Sequence, residues 1–139
     1  NRGCALVKAV GGKAEFVWEN RGMRNHINSC VLHEGHLYGF DETELKCIEL
    51  ASGEEKWSHR GLGKGSLTLA DGKLIVLSED GRLVVAPPSP TSFAPAAEAQ
   101  VLPASKAQGP CWTTPTLANG RIYCRNAGGD LVCVDVSQK

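Results

Sequence analysis

Leu32-His-Glu-Gly-His-Leu-Tyr-Gly-Phe-Asp-Glu-Thr-Glu-Leu-Lys-Cys-Ile-Glu-Leu-Ala-Ser-Gly-Glu-Glu-Lys-Trp57 is the stretch from which the fold follows. It opens on Glu34-Gly35 between short apolar runs, a pair that reads as a tight turn. The hexapeptide Leu32-His-Glu-Gly-His-Leu37 returns as Leu69-Ala-Asp-Gly-Lys-Leu74 and again as Leu117-Ala-Asn-Gly-Arg-Ile122, at offsets of 37 and 48 residues. Eight or nine residues beyond each copy, another strand-like run starts at Leu45, Leu83 or Leu131. Matching landmarks at this period mark an array of like supersecondary units.

The first complete unit runs over 29–60, with strands expected at 29–33, 36–41, 44–50 and 55–59, each bounded by turn residues. Four short strands in meander order form one antiparallel sheet, which cannot cover its own apolar faces, so copies must stack. Ahead of it, 4–10 and 14–20 flank Gly11-Gly12-Lys13 as a hairpin. Trp18 lies 39 residues before Trp57, which makes that hairpin the closing half of a unit. The second unit, 66–102, has strands expected at 66–70, 73–78 and 82–86, with Asp71-Gly72 and Asp80-Gly81 as turns. Residues 87–110 hold six of the seven prolines and cannot continue a central strand. They read as a lengthened loop with an outer strand near 97–102, a one-turn helix being the alternative. This insertion lengthens the second offset. The third unit, 113–136, offers strands near 114–118, 121–126 and 130–136 around Asn119-Gly120, the strongest hairpin signal in the chain. The fold class is therefore all-β, with two, four, four and three strands and sheet edges that call for more chain or another copy.

Composition narrows the functions. Fifteen basic and fifteen acidic residues cancel, and no basic patch with interleaved aromatics is present, which argues against nucleic acid as a partner. No apolar run is long enough to span a membrane as a helix. Asn1 in place of Met predicts a mature or excised product, and the compartment is not readable from these residues. The six cysteines, 4, 30, 47, 111, 124 and 133, form no Cys-x-x-Cys pair, so zinc is not expected. They read as small core hydrophobes, with a Cys30–Cys111 disulfide as the exported-protein alternative. Cys47 and Cys133 hold the same place in their repeats. Gly61-Leu-Gly-Lys-Gly-Ser66 lacks phosphate-loop spacing and precedes a strand in place of a helix, so it reads as a flexible connector. His33 and His36 close one hairpin and read as a solvated pair. Glu34, Asp71, Glu79 and Asp80 read as turn residues.

The run Cys47-Ile-Glu49-Leu-Ala-Ser52-Gly53-Glu-Glu-Lys-Trp57 resembles the tryptophan-docking motif of the quinoprotein (PQQ-like) β-propellers, Ala-x-Asp-x-x-Thr-Gly-x-x-x-Trp. Cys stands for Ala, Glu for Asp and Ser for Thr, while Gly53 and Trp57 match outright. Cys133-Val-Asp135-Val-Ser137 begins the same motif. The resemblance, to the PQQ-like or BamB-like repeat family, implies a β-propeller fragment of about three four-stranded antiparallel blades, locked together by Ser52, Gly53 and Trp57. It also implies an exported or periplasmic location, with the remaining blades, further copies or a protein as partner. An active quinoprotein dehydrogenase would hold pyrroloquinoline quinone and usually calcium, with a carboxylate base, Asn and Glu on the metal, and in many members adjacent cysteines. This chain has no adjacent cysteines. A non-catalytic scaffold or binding module is the favoured expectation, with no catalytic, cofactor or metal residue assigned. The alternative is the C-terminal part of a PQQ-dependent alcohol or sugar dehydrogenase.

Connectors that lead from one blade to the next rim the funnel of such folds. Here they place Arg24, Asn25, His26, Asn28, Lys64, Lys106 and Trp112 as candidate rim residues. Trp112 aligns with Ile27 and Lys64 in the other repeats, so the strand pattern does not require it. An exposed indole beside cationic connectors suits a ligand or partner contact, and packing between blades is the alternative.

Overall fold

A computed structural model of the chain describes residues 3–104 and 106–137. Thirteen strands, all paired antiparallel, form four sheets among the described residues. Strands β1 (Cys4–Val10) and β2 (Lys13–Asn20) make a lone hairpin. The first blade is β3 (Val31–His33), β4 (His36–Asp41), β5 (Glu44–Glu49) and β6 (Glu55–His59), paired in chain order. The second is β7 (Ser66–Ala70), β8 (Lys73–Leu77), β9 (Arg82–Ala86) and β10 (Ala97–Gln100). The last sheet holds β11 (Thr116–Ala118), β12 (Arg121–Arg125) and β13 (Leu131–Asp135).

The turns explain the register. Glu34-Gly35, Asp71-Gly72 and Asn119-Gly120 all place both residues at positive φ, the pattern of a two-residue hairpin whose twist matches its strands. Each copy of the hexapeptide therefore folds the same way, and the apolar rows behind it line up. The two four-stranded blades share a core of Tyr38, Phe40, Leu45, Cys47, Leu67, Leu74 and Val76, with Trp57 and Phe93 packed on it. A second core joins the next pair through Ile75, Leu77, Leu83, Leu102, Cys111, Ile122 and Cys124.

Strand ends depart from the sequence reading where side chains or turns capture the backbone. β3 starts at Val31, not 29, because Asn28 is held by carbonyls of other connectors. β10 stops at Gln100, two residues early, since the amides of Val101 and Leu102 both turn to the carbonyl of Gly81. The segment 97–100 is strand, not a helical turn; a single 3-10 turn falls instead at Lys106–Gln108. The connector 61–66 is pinned rather than flexible. Arg82 Nη2 donates to Gly61 O at 2.7 Å, Glu79 N to Leu62 O at 2.8 Å and Lys64 N to Glu79 Oε2 at 3.1 Å.

All six cysteines are free, so Cys30 and Cys111 are not bonded to each other. Cys47, Cys111 and Cys124 are buried as expected of small apolar side chains, but Cys133 is exposed although it repeats Cys47. The reason is cover: Cys47 pairs with Trp57 on β6, whereas β13 is the outermost strand of its sheet. Exposed Val7, Val10, Phe16 and Val17 on the hairpin, with Leu131 on the last sheet, leave apolar surface at both ends of the array.

Candidate functional site

Two indoles bridge neighbouring sheets. Trp18 on β2 donates its Nε1–H to Leu50 O at 2.9 Å, and its ring lies over Gly53, whose φ is +74°. Asn20 Nδ2 reinforces the joint with a bond to Gly53 O at 2.9 Å. Trp57 repeats the contact one sheet on, donating to Ser89 O at 2.8 Å, with Tyr38 and Phe93 tilted against its ring. Each donor and acceptor stand 32 residues apart in both cases. Ser52 works within the loop: its hydroxyl donates to Glu49 Oε2 at 2.5 Å and accepts from the amide of Glu54. The sequence pointed to Trp57, Gly53 and Ser52 but not to Ser89, because the insertion erases the motif there.

The connector residues named from the sequence meet near the innermost strands, where β3 and β7 lie side by side. Asn28 is the hub. Its Nδ2 donates to Trp112 O at 3.1 Å and to Gly65 O at 3.4 Å, and its Oδ1 accepts from Thr114 Oγ1 at 2.9 Å. Ser66 Oγ adds a bond to Thr113 O at 3.0 Å. Three connectors from distant parts of the sequence are thus tied by one short amide.

Lys64 and Arg24 are both paired with carboxylates. Lys64 Nζ sits 3.1 Å from His26 Nδ1 and 3.2 Å from Glu42 Oε2. Arg24 clamps Asp41 with Nε–Oδ1 at 2.6 Å and Nη2–Oδ2 at 3.1 Å, and its own amide donates to the same carboxylate. Lys46 Nζ reaches Asp41 Oδ2 at 2.8 Å and Glu55 Oε2 at 2.9 Å. Burial works against the Asp41 charge, but these bonds outweigh it and hold its pKa at about 2. Burial would lower Lys46, yet Asp41 and Glu55 raise it. Arg24 belongs to this anchor beneath the rim, and Asn25 likewise turns inward, to Phe40 O at 3.1 Å. The Lys106 side chain lies outside the described residues.

Among the described side chains, Trp112 is paired with a carboxylate and not with a cation. Its indole N–H donates to Glu79 Oε1 at 3.2 Å, with 39 % of the residue exposed. Beside it opens a cavity of about 840 Å³ walled by Leu62, Glu79, Asp80, Pro103, Pro110 and Trp112. Glu79 is the residue that sequence reasoning missed. It looked like one more turn carboxylate, and only the fold brings its two oxygens to the Lys64 amide and the Trp112 indole.

Among the described residues no group of three His, Cys, Asp or Glu side chains could hold a metal ion, and Asn28 spends its Nδ2 on the Trp112 and Gly65 carbonyls and its Oδ1 on the Thr114 hydroxyl. His33 and His36 face each other across their hairpin, with His36 Nδ1 at 3.0 Å from Glu34 O. No described helix is long and apolar enough to cross a membrane.

No protein-family model and no curated protein sequence matches the chain. Solved structures do. BamB from Moraxella catarrhalis superposes with a TM-score of 0.61 at 16% identity, over 77% of this chain and 32% of that one. The quinohemoprotein alcohol dehydrogenase ADHIIG from Pseudomonas putida HK5 gives 0.61 at 14%, over 78% and 19%. The chain thus spans about a third of the first structure and a fifth of the second. At such identities the likeness concerns the fold alone, and the fold is that of β-propeller blades.

Proposed function

We propose that the chain is part of a larger propeller that serves as a non-catalytic binding scaffold, with the Asn28 rim and the Trp112 cavity as its ligand-facing end. The observation that carries this reading is the Asn28 mesh, which ties together the 61–65 and 109–114 connectors, both of which contribute walls to one concave surface. A preformed surface binds without the entropic cost of ordering its loops. The Trp112 ring and the carboxylates of Glu79 and Asp80 suit the cationic side chain of a protein partner, by cation–π contact and charge-assisted hydrogen bonding. The open apolar ends of the array are taken by the remaining blades or by further copies, as edge strands require.

Titration of the full-length protein with lysine- and arginine-containing peptides, followed by tryptophan fluorescence, tests this reading. Saturable quenching that Trp112→Phe removes and Glu79→Gln weakens about ten-fold, one charge-assisted bond, is expected. Equal quenching by an acidic peptide, or none by any, would sink it.

The likeness to a quinohemoprotein alcohol dehydrogenase supports a second reading, a part of a PQQ-dependent enzyme whose cofactor residues lie on other blades. Dye reduction by the full-length protein with added quinone, calcium and an alcohol or sugar separates the two. We expect none; calcium-dependent reduction overturns the scaffold. An exported or periplasmic location goes with either reading, and six free thiols weigh against it. Fractionation of the native cells decides the point.

A further inference from the structure

The two blades and the hairpin before them are joined by indoles, and the last joint is not. On the first blade, Tyr38, Cys47 and Trp57 form one cross-strand row. The corresponding row on the second blade is Ile75, Val85 and Ala97. Ala97 therefore stands where the joint residue would be Trp, and its methyl group cannot reach the next sheet.

The carbonyl on the accepting side of that joint is nevertheless held as in the first blade. In the first blade the amide of Leu50 donates to Gly35 O at 2.8 Å, which presents the Leu50 carbonyl to Trp18. In the last sheet the amide of Val136 donates to Gly120 O, also at 2.8 Å. Gly35 and Gly120 are the same residue of the repeated hexapeptide, and Leu50 and Val136 each follow the motif acid by one. The acids match in position, and each accepts from a serine beyond it: Ser52 Oγ, three residues on, donates to Glu49, and Ser137 Oγ, two residues on, donates to Asp135. The backbone that carries the accepting carbonyl is thus anchored as in the first blade, with no indole opposite it.

Between these two sides lies a cleft of about 530 Å³, with Ile75, Val85, Leu117, Ile122 and Val136 as its apolar walls. The Lys73–Asp71 ion pair, 3.2 Å and exposed, stands at its edge. Small-molecule sites have roughly this size and lining, about 300–1,000 Å³. Apolar cavities left by a missing side chain take up rings that replace it.

We propose that this cleft is a binding site for a small fused-ring heteroaromatic with an N–H donor, of the indole class. Its ring takes the place of the tryptophan that position 97 lacks, and its N–H bonds to the Val136 carbonyl. This site is separate from the Trp112 cavity and does not depend on the function proposed above.

The probe is 5-fluoroindole, followed by fluorine NMR on the full-length protein. Saturable binding is expected, displaced by indole. Benzofuran, of the same shape without the N–H, should compete about five-fold more weakly, the factor of one net hydrogen bond. Ala97→Trp should abolish the binding and raise the melting temperature by filling the cleft. Absence of saturable binding to the wild-type protein overturns the proposal, as does equal competition by benzofuran. Undiminished binding to a folded Ala97→Trp variant does so as well. The benzofuran comparison needs no variant, so it stands even should Ala97→Trp fail to fold.

Discussion

Gly53→Ala tests the physics of the first joint. Gly53 has φ +74°, and a Cβ there would lie 2.5 Å from Asn20 Nδ2, 2.8 Å from Trp18 Cε3 and 2.9 Å from Trp18 Cδ2. Adopting the left-handed region costs a non-glycine residue about 1 kcal/mol. The clash adds more, because ordinary contact needs about 3.5 Å or more, so the indole and the amide must both retreat. Their hydrogen bonds to Leu50 O and Gly53 O, each 2.9 Å, are then lost at about 1 kcal/mol apiece. The sum is about 3 kcal/mol.

A control isolates the two terms. Gly35 has nearly the same φ, +76°, with nothing within 4 Å of its would-be Cβ. Gly35→Ala should cost only the backbone term, about 1 kcal/mol. Native-state hydrogen exchange provides the assay. In Gly53→Ala, the amides of β1 and β2 should lose protection while those of β4 and β8 keep theirs, since Trp18 and Asn20 donate the hairpin's hydrogen bonds to Leu50 and Gly53 of the first blade. Gly35→Ala should leave β1 and β2 unchanged. Equal costs for the two variants, or unaltered protection of the hairpin in Gly53→Ala, would refute the steric reasoning.

Two further outcomes follow from the same interactions. Asp41 is 3 % exposed with its pKa depressed from 3.8 to about 2, so its ionisation contributes about 2 kcal/mol. That contribution is complete above pH 4 and disappears as pH falls through about 2. Asp41→Asn should therefore lose about 3 kcal/mol in urea unfolding at pH 7, by leaving Lys46 and Arg24 short of a partner, and much less at pH 2. An equal loss at both pH values would contradict the ion-pair account. Thiol labelling of the native protein at pH 8 should modify Cys133 within minutes and spare Cys47, Cys111 and Cys124, whose thiols burial pushes up, Cys124 to about 11. Labelling of the buried three at the rate of Cys133 would show that the inter-sheet cores open freely.

The sequence by itself determined the elements and their grouping. Turn pairs such as Asn119-Gly120 and period-two apolar runs are local signals, and a hairpin is a local structure, so strand order within each sheet was legible. The repeat of one hexapeptide then implied stacked sheets. The tertiary structure decided what lies between sheets. Ser89 became the partner of Trp57, Glu79 the partner of Trp112, and Asn28 the tie among three connectors, each through contacts 32 to 86 residues apart. Such partners depend on how the Pro-rich insertion is routed and how the sheets are angled, neither of which leaves a period in the chain. The exposure of Cys133 shows the same division: its sequence context equals that of Cys47, and only the strand that covers one and not the other sets them apart.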